Sequence, residues 1–418
     1  VLLLALVTAS IAIGAGQEAR LGHYMVVLHD SVDHPGAVGH AQTDQYGGHL
    51  GFVYRYGPIG YSATLPEAAV EALSRDPRVR DVRVDHREDV AGAQKQSTGI
   101  KRVLATSNAK LEIDEEDNFT VDADVAVIDT GVDHKHPDLE VVSRTYCDGN
   151  EKSASCTDET GTDEDGHGTT VAGVIAARDN TEGVVGVAPG ARIWSVKVLD
   201  AKANWESEVV AGINWVTSHS DYIEVANMSI QCLELPCKRK TMSEAVTASV
   251  EAGVVYVGIA GNQGEDASQS GYATQPEMIT TSALADYDGL PEMKAPELWT
   301  PSCQVEKQKE DEEHHGEDDT LAEFSNWGKD VEMTAPGVCI YTTDRNSGYT
   351  YTWGTSIAAP HVSGAAAILA AQSDPETKAD VMEIRETLMG AGNFTWVDSS
   401  ADGYWEPLLD VHDEEIFK

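Results

Sequence analysis

Basic side chains are scarce in this chain: 29 Lys and Arg stand against 70 Asp and Glu, a formal charge of -41 over 418 residues. A protein that grips a nucleic-acid backbone needs a cationic surface, so this balance argues against nucleic acid as a partner. An acid excess of this size suits a protein kept soluble at high ionic strength, where screening weakens self-repulsion. An ordinary acidic secreted protein is the alternative. After the first residues no stretch approaches the roughly 18 apolar residues of a membrane span. Cysteine is absent before Cys147 and no Cys-x-x-Cys occurs, which removes the usual zinc pattern.

What remains divides by charge. Residues 20–90 carry a net of -3 and residues 91–418 a net of -37, so the two parts read as separate domains. Ahead of them, residues 1–19 open with an apolar run and continue with small residues. This reads as a signal-peptide remnant lacking its initiating Met and basic start, with a buried helix as the alternative. A secreted, extracellular protein without a membrane span after signal removal follows. Six cysteines fit an exported enzyme. Proximity pairs Cys147 with Cys156, Cys232 with Cys237 and Cys303 with Cys339, one choice among several connectivities.

In residues 20–90, strand patterns at Gly22–His29, Gly51–Tyr56, Tyr61–Leu65 and Val79–Asp85 surround a helix starting at Pro66. That order predicts a small α+β unit. The polar, small residues of 91–99 read as a linker. From 100 to 395 strand and helix signals alternate regularly, predicting an α/β three-layer sandwich with a mostly parallel central sheet. Residues 396–418 have too few apolar side chains for a domain of their own and form a C-terminal tail, docked through Trp405, Leu408 and Leu409 or frayed.

Sites in such sheets gather beyond the carboxyl ends of the strands. Asp129 ends the apolar run of Ala126-Val-Ile-Asp-Thr-Gly. His167 in Asp165-Gly-His-Gly-Thr-Thr and Ser356 in Gly354-Thr-Ser-Ile-Ala-Ala-Pro each begin a helix-compatible run between small residues. A hydroxyl is a poor nucleophile until a base removes its proton, and an imidazole is an effective base when a carboxylate holds its other nitrogen. The Ser356 backbone N–H and the Asn262 side-chain amide are candidates for the oxyanion that forms. Each signal alone is weak; their joint order is specific. It predicts peptide-bond hydrolysis without a catalytic cofactor.

On these motifs the chain resembles the subtilisin-like serine proteases, and within them the secreted proteinase K group. The resemblance covers roughly 100–390 and includes Ala188-Pro-Gly190, Phe324-Ser-Asn-Trp-Gly328 and Ala335-Pro-Gly337. It implies Asp129, His167 and Ser356 as triad, Asn262 as oxyanion donor, and protein or peptide substrates. Ser229, Ile230, Gln231, Gly258, Ile259 and Ala260 would line the substrate groove. Three positions depart from the family: Ile357 stands where methionine is usual, Gln231 where glycine is common, and Ile259 where alanine is. Residues 20–90 resemble the inhibitory propeptide, notably in Tyr61-Ser-Ala-Thr-Leu-Pro-Glu67, with autocatalytic removal at the linker. A monomer is expected. The family often uses structural calcium, but no EF-hand pattern occurs, so a metal site is left unassigned and the acidic run near 304–319 reads as a solvated insertion. An inactive peptide-binding protein of the same fold is the competing function.

Overall fold

The computed structural model describes residues 21–29, 31–56, 59–84, 94–149, 155–200, 205–231, 240–270, 275–291, 315–400 and 402–418. Two compact units result, Val1–Val90 and Ala91–Lys418.

In the first unit, strands β1 (Leu21–Leu28), β2 (His49–Tyr54), β3 (Gly60–Pro66) and β4 (Val79–Val84) form an antiparallel sheet in the order β2-β3-β1-β4. Helices α1 (Pro35–Tyr46) and α2 (Glu67–Ser74) complete it. Val26, Leu28, Tyr61, Leu65, Ala69 and Leu73 make its core. Helix α1 is absent from the sequence reading for a physical reason. Its buried face is Pro35, Gly39, Gln42 and Thr43, with no apolar periodicity to detect. Gln42 adds hydrogen bonds to the packing of Val38 and Tyr46 on the core, accepting from Tyr61 Oη and donating to Asp76 at 2.8 Å.

The second unit is an α/β fold around a mixed, largely parallel nine-stranded sheet. Its strands are β5 (Asp124–Asp129), β6 (Glu140–Asp148), β7 (Ser155–Asp158), β8 (Arg192–Lys197), β9 (Val225–Met228), β10 (Val255–Ile259), β11 (Met278–Ala285), β12 (Thr320–Leu321) and β13 (Met333–Pro336). They run in the order β12-β11-β10-β9-β5-β8-β6-β7, with β13 on β11; only β7 and β12 are antiparallel to their neighbours. All six residues of β5 are buried, as a central parallel strand covered on both faces requires. A hairpin of β14 (Ile340–Asp344) and β15 (Gly348–Thr352) stands apart.

The helices are α3 (Thr98–Arg102), α4 (His167–Ala176), α5 (Glu206–Thr217), α6 (Lys240–Glu251), α7 (Thr355–Ser373) and α8 (Lys378–Ala391). Helix α4 packs on α7, and α5 on α6. Every residue of α7 from Thr355 to Ala370 is buried. Small side chains such as Ala358, Ala359 and Ala365 to Ala367 let it lie close to the sheet.

One boundary differs from the sequence reading. The linker expected over 91–99 is bound into the second unit from Gln94 onward: Lys95 N–H donates to Gly183 at 2.8 Å, and Ser97 caps α3. Of the two outcomes expected for the tail from 396, the structure shows docking onto that unit. Trp396, Leu408, Leu409, Val411 and Phe417 are buried, and Asn108 Nδ2 donates at 2.8 Å to the carbonyls of both Val411 and Phe417. Trp405 stays half exposed. Few apolar residues suffice because each docks on an existing core rather than building one.

Cys147 and Cys156 are bonded, as opposite residues of the β6–β7 hairpin. Cys339 is disulfide-bonded too. Cys232, Cys237 and Cys303 lie outside the described residues.

Candidate active site

Asp129 closes β5 with its carboxylate fully buried. Oδ1 accepts from the Thr130 N–H at 2.7 Å and lies 2.8 Å from His167 Nδ1. A carboxylate at this distance only accepts, so Nδ1 carries the proton and Nε2 is the free base when the ring is neutral.

His167 begins α4, and its side chain keeps 31% of its exposure. Close approach of the helix to Asp129 depends on the next residue: a Cβ on Gly168 would lie 2.1 Å from the Gly131 carbonyl oxygen. Burial pulls the imidazolium pKa down, but the charge and hydrogen bond of Asp129, with Asp165 and Asp163 beyond, outweigh it and push the pKa up to about 9. Below about pH 6.5 the resulting charge pair stabilises the fold fully, and its contribution fades as pH rises through about 9. Activity runs the other way, since only the neutral ring can take a proton. The acid limb of kcat/KM is therefore expected above the ordinary histidine value of about 6.5, displaced toward 9. A pH–rate profile with its midpoint at or below 6.5 would contradict this placement.

Asp163 is a functional residue that sequence reading passed over. Buried, it accepts from Gly166 N–H at 2.9 Å, Thr169 N–H at 3.1 Å and Thr130 Oγ1 at 3.0 Å. Thr130 Oγ1 in turn accepts from Gly168 N–H at 2.9 Å. One carboxylate thus satisfies donors at the start of α4 and ties them to the loop after Asp129. Within Thr162-Asp-Glu-Asp-Gly no local pattern sets it apart from its acidic neighbours.

Ser356 is the second residue of α7 and is buried. Its carbonyl accepts from Ser229 Oγ at 2.8 Å, and Ser229 Oγ accepts from Asn227 Nδ2 at 2.9 Å. Asn227 is wholly buried, so its Asn-Met-Ser match to a glycosylation acceptor has no access. Asn262 Oδ1 accepts from the Thr355 N–H at 2.9 Å and from Thr355 Oγ1 at 2.7 Å, which leaves Nδ2 facing the serine. A Cβ on Gly354 would sit 2.9 Å from Ser356 Oγ and 3.6 Å from both Ser356 N and Asn262 Nδ2. Ser356 Oγ and both expected oxyanion donors surround that point, which glycine leaves open. Among the described residues no hydrogen bond joins the His167 ring to Ser356. The helices carrying them pack together.

The groove residues are mostly covered. Ser229, Ile230, Gly258, Ile259 and Ala260 are buried, and Gln231 alone is half exposed. For a metal, Asp286, Asp288 and Asp318 hold carboxylate oxygens within 4.8 Å of one another. That all-oxygen set suits a hard cation such as calcium in a structural role. Arg102 already lies 2.9 Å from Asp286 Oδ2, and burial holds the Asp286 carboxyl well above the usual carboxylate range.

Comparisons with known proteins agree with this arrangement. Residues 122–401 match the sequence profile of the Subtilase family. The chain is 33% identical over 334 residues to subtilisin E of Bacillus subtilis (strain 168), covering 78% of this chain and 74% of that protein. It is 36% identical over 247 residues to subtilisin DY of Bacillus licheniformis, 59% of this chain and 75% of that protein. The crystal structure of a cold adapted subtilisin-like serine proteinase superposes with a TM-score of 0.52 at 25% identity, covering 71% of this chain and 92% of that one. Among the described residues no helix is long and apolar enough to cross a membrane. With a buried aspartate on a half-exposed histidine and a serine beginning a neighbouring helix, the chain belongs to the subtilase family and is a subtilisin-like serine endopeptidase.

Proposed function

We propose that this enzyme cuts protein or peptide substrates through Asp129, His167 and Ser356 by way of a covalent acyl-enzyme. The observation that carries it is the 2.8 Å contact between buried Asp129 and His167 Nδ1, which leaves Nε2 as base beside the helix of Ser356. Ser356 Oγ attacks the carbonyl carbon while Nε2 takes its proton. The oxyanion accepts from Asn262 Nδ2 and the Ser356 N–H. Collapse breaks the C–N bond as Nε2 returns the proton to the leaving amine. Water then repeats the sequence on the acyl-enzyme and frees Ser356.

We infer further that the protein is a secreted, monomeric, proteinase K-like zymogen. Residues 1–19 act as part of a secretory signal and 20–90 as an inhibitory propeptide. The mature enzyme takes in the catalytic residues 100–395 and the tail to 418. Because Gln94 and Lys95 are bound into the second unit, the processing bond falls at 89–93 within the 89–100 span. Incubating purified full-length chain over a range of salt and calcium, with mass analysis, tests this. Expected are a new N-terminus in that window, faster processing and greater stability at high salt, and one adduct on Ser356 from a serine-directed covalent inhibitor. No cut and no adduct under any condition would overturn the proposal.

A further inference from the structure

We propose that Gln231 is a specificity-determining residue, held by Gln263 across the mouth of the pocket that takes the substrate side chain on the acyl side of the cut. This rests on the catalytic reading above. Strands β9 and β10 run in parallel register up to Met228 and Gly258. Beyond that level their chains continue as two segments. Ser229 Oγ in the first is bonded to the Ser356 carbonyl, and the second carries Asn262. The two segments therefore flank the nucleophile and the oxyanion amide, and a substrate residue attacked by Ser356 projects between them.

The segments are joined again by side chains. Gln263 Nε2 donates to Gln231 Oε1 at 2.9 Å. From Met228 to Gln231 is three residues, about 10 Å of extended chain, so the bridge lies well above the level where the strands part. A solvent-facing amide pair alone is weak. This one is fixed from behind by Asn326, which is 2% exposed. Asn326 Nδ2 donates to Gln263 Oε1 and to the Ala260 carbonyl, both at 2.9 Å. Its Oδ1 accepts from the Gln263 and Glu265 N–H groups, both at 3.0 Å. With its own N–H on the Gly261 carbonyl at 2.9 Å, Asn326 has every amide position used and brackets Asn262 on both sides. Gln263 Oε1 is pinned, so its Nε2 has one direction left, and Gln231 is drawn over to meet it.

A ring entering between the segments must part this bridge, whereas a methyl need not. Two chromogenic peptides differing only in Ala or Phe before the cut supply the test. Gln231→Gly is expected to raise the Phe/Ala ratio of kcat/KM about tenfold. Gln263→Ala should move it in the same direction, and the double variant should add little, because both changes break one bridge. A Gln231→Gly enzyme that cleaves both peptides with a ratio within about twofold of the parent's would overturn the proposal. A parent that cleaves neither peptide would instead bring down the catalytic reading, and this proposal with it.

Discussion

Ser356→Ala is expected to lower kcat by on the order of 10⁶, a magnitude measured for the nucleophile of a homologous subtilisin. The neighbouring hydroxyls are already engaged: Thr355 Oγ1 donates to Asn262 Oδ1 and Ser229 Oγ to the Ser356 carbonyl. The residue is buried at the start of α7, with the Ser356 N–H and Asn262 Nδ2 each 3.6 Å from where a Cβ on Gly354 would sit. Those donors survive the change, so residual rate above the uncatalysed reaction should persist and KM should move little. The fold should survive as well, because the bond that ties Ser356 to β9 runs through its carbonyl to Ser229. Steady-state kinetics with one peptide substrate, beside circular dichroism, checks both parts. The same substitution should abolish self-processing at 89–93. A variant retaining more than about a hundredth of the parental kcat would remove Ser356 from the mechanism.

Asp129→Asn is expected to cost about 10⁴ in kcat near neutral pH with the backbone unchanged. The substituted side chain would still present an oxygen to the Thr130 N–H, now held at 2.7 Å, so the loop should keep its path. The same oxygen would still accept from His167 Nδ1, but as part of a neutral amide it no longer stabilises the imidazolium that forms when Nε2 takes the serine proton. Loss of the negative charge also removes the main influence raising the imidazole pKa, leaving burial to lower it. The variant should therefore show low kcat together with a histidine titration shifted to lower pH, measured by NMR of the ring protons. A merely destabilised protein would instead show a lowered Tm with the titration in place, and that outcome would falsify the orienting role of Asp129.

The motifs on which the proposed triad rests were legible because each is local. An aspartate at the end of an apolar strand, and a histidine and a serine opening small-residue helices, carry their positional meaning within about ten residues. The α/β rhythm was legible for the same reason, since β5, α4, β8 and α5 follow one another with clear periods. Helix α1 escaped because its buried face carries no apolar periodicity. For the tail, docking through Leu408 and Leu409 was one of two open outcomes, because their burial comes from a surface that exists only once residues from Asn108 to Thr334 are folded.

By itself, then, the chain's order of residues pointed to the family and to a serine endopeptidase, and supplied the candidates proposed as nucleophile, base and acid. Only the folded molecule decided how those groups are held. Asp163 reaches Thr130 across 33 positions, Asn326 reaches Gln263 across 63, and Gln231 meets Gln263 across 32. A carboxylate or amide bears no local mark of the donors it will satisfy. Those donors are other segments' backbone groups, brought within reach only when the sheet closes and the loops beyond its carboxyl edge converge.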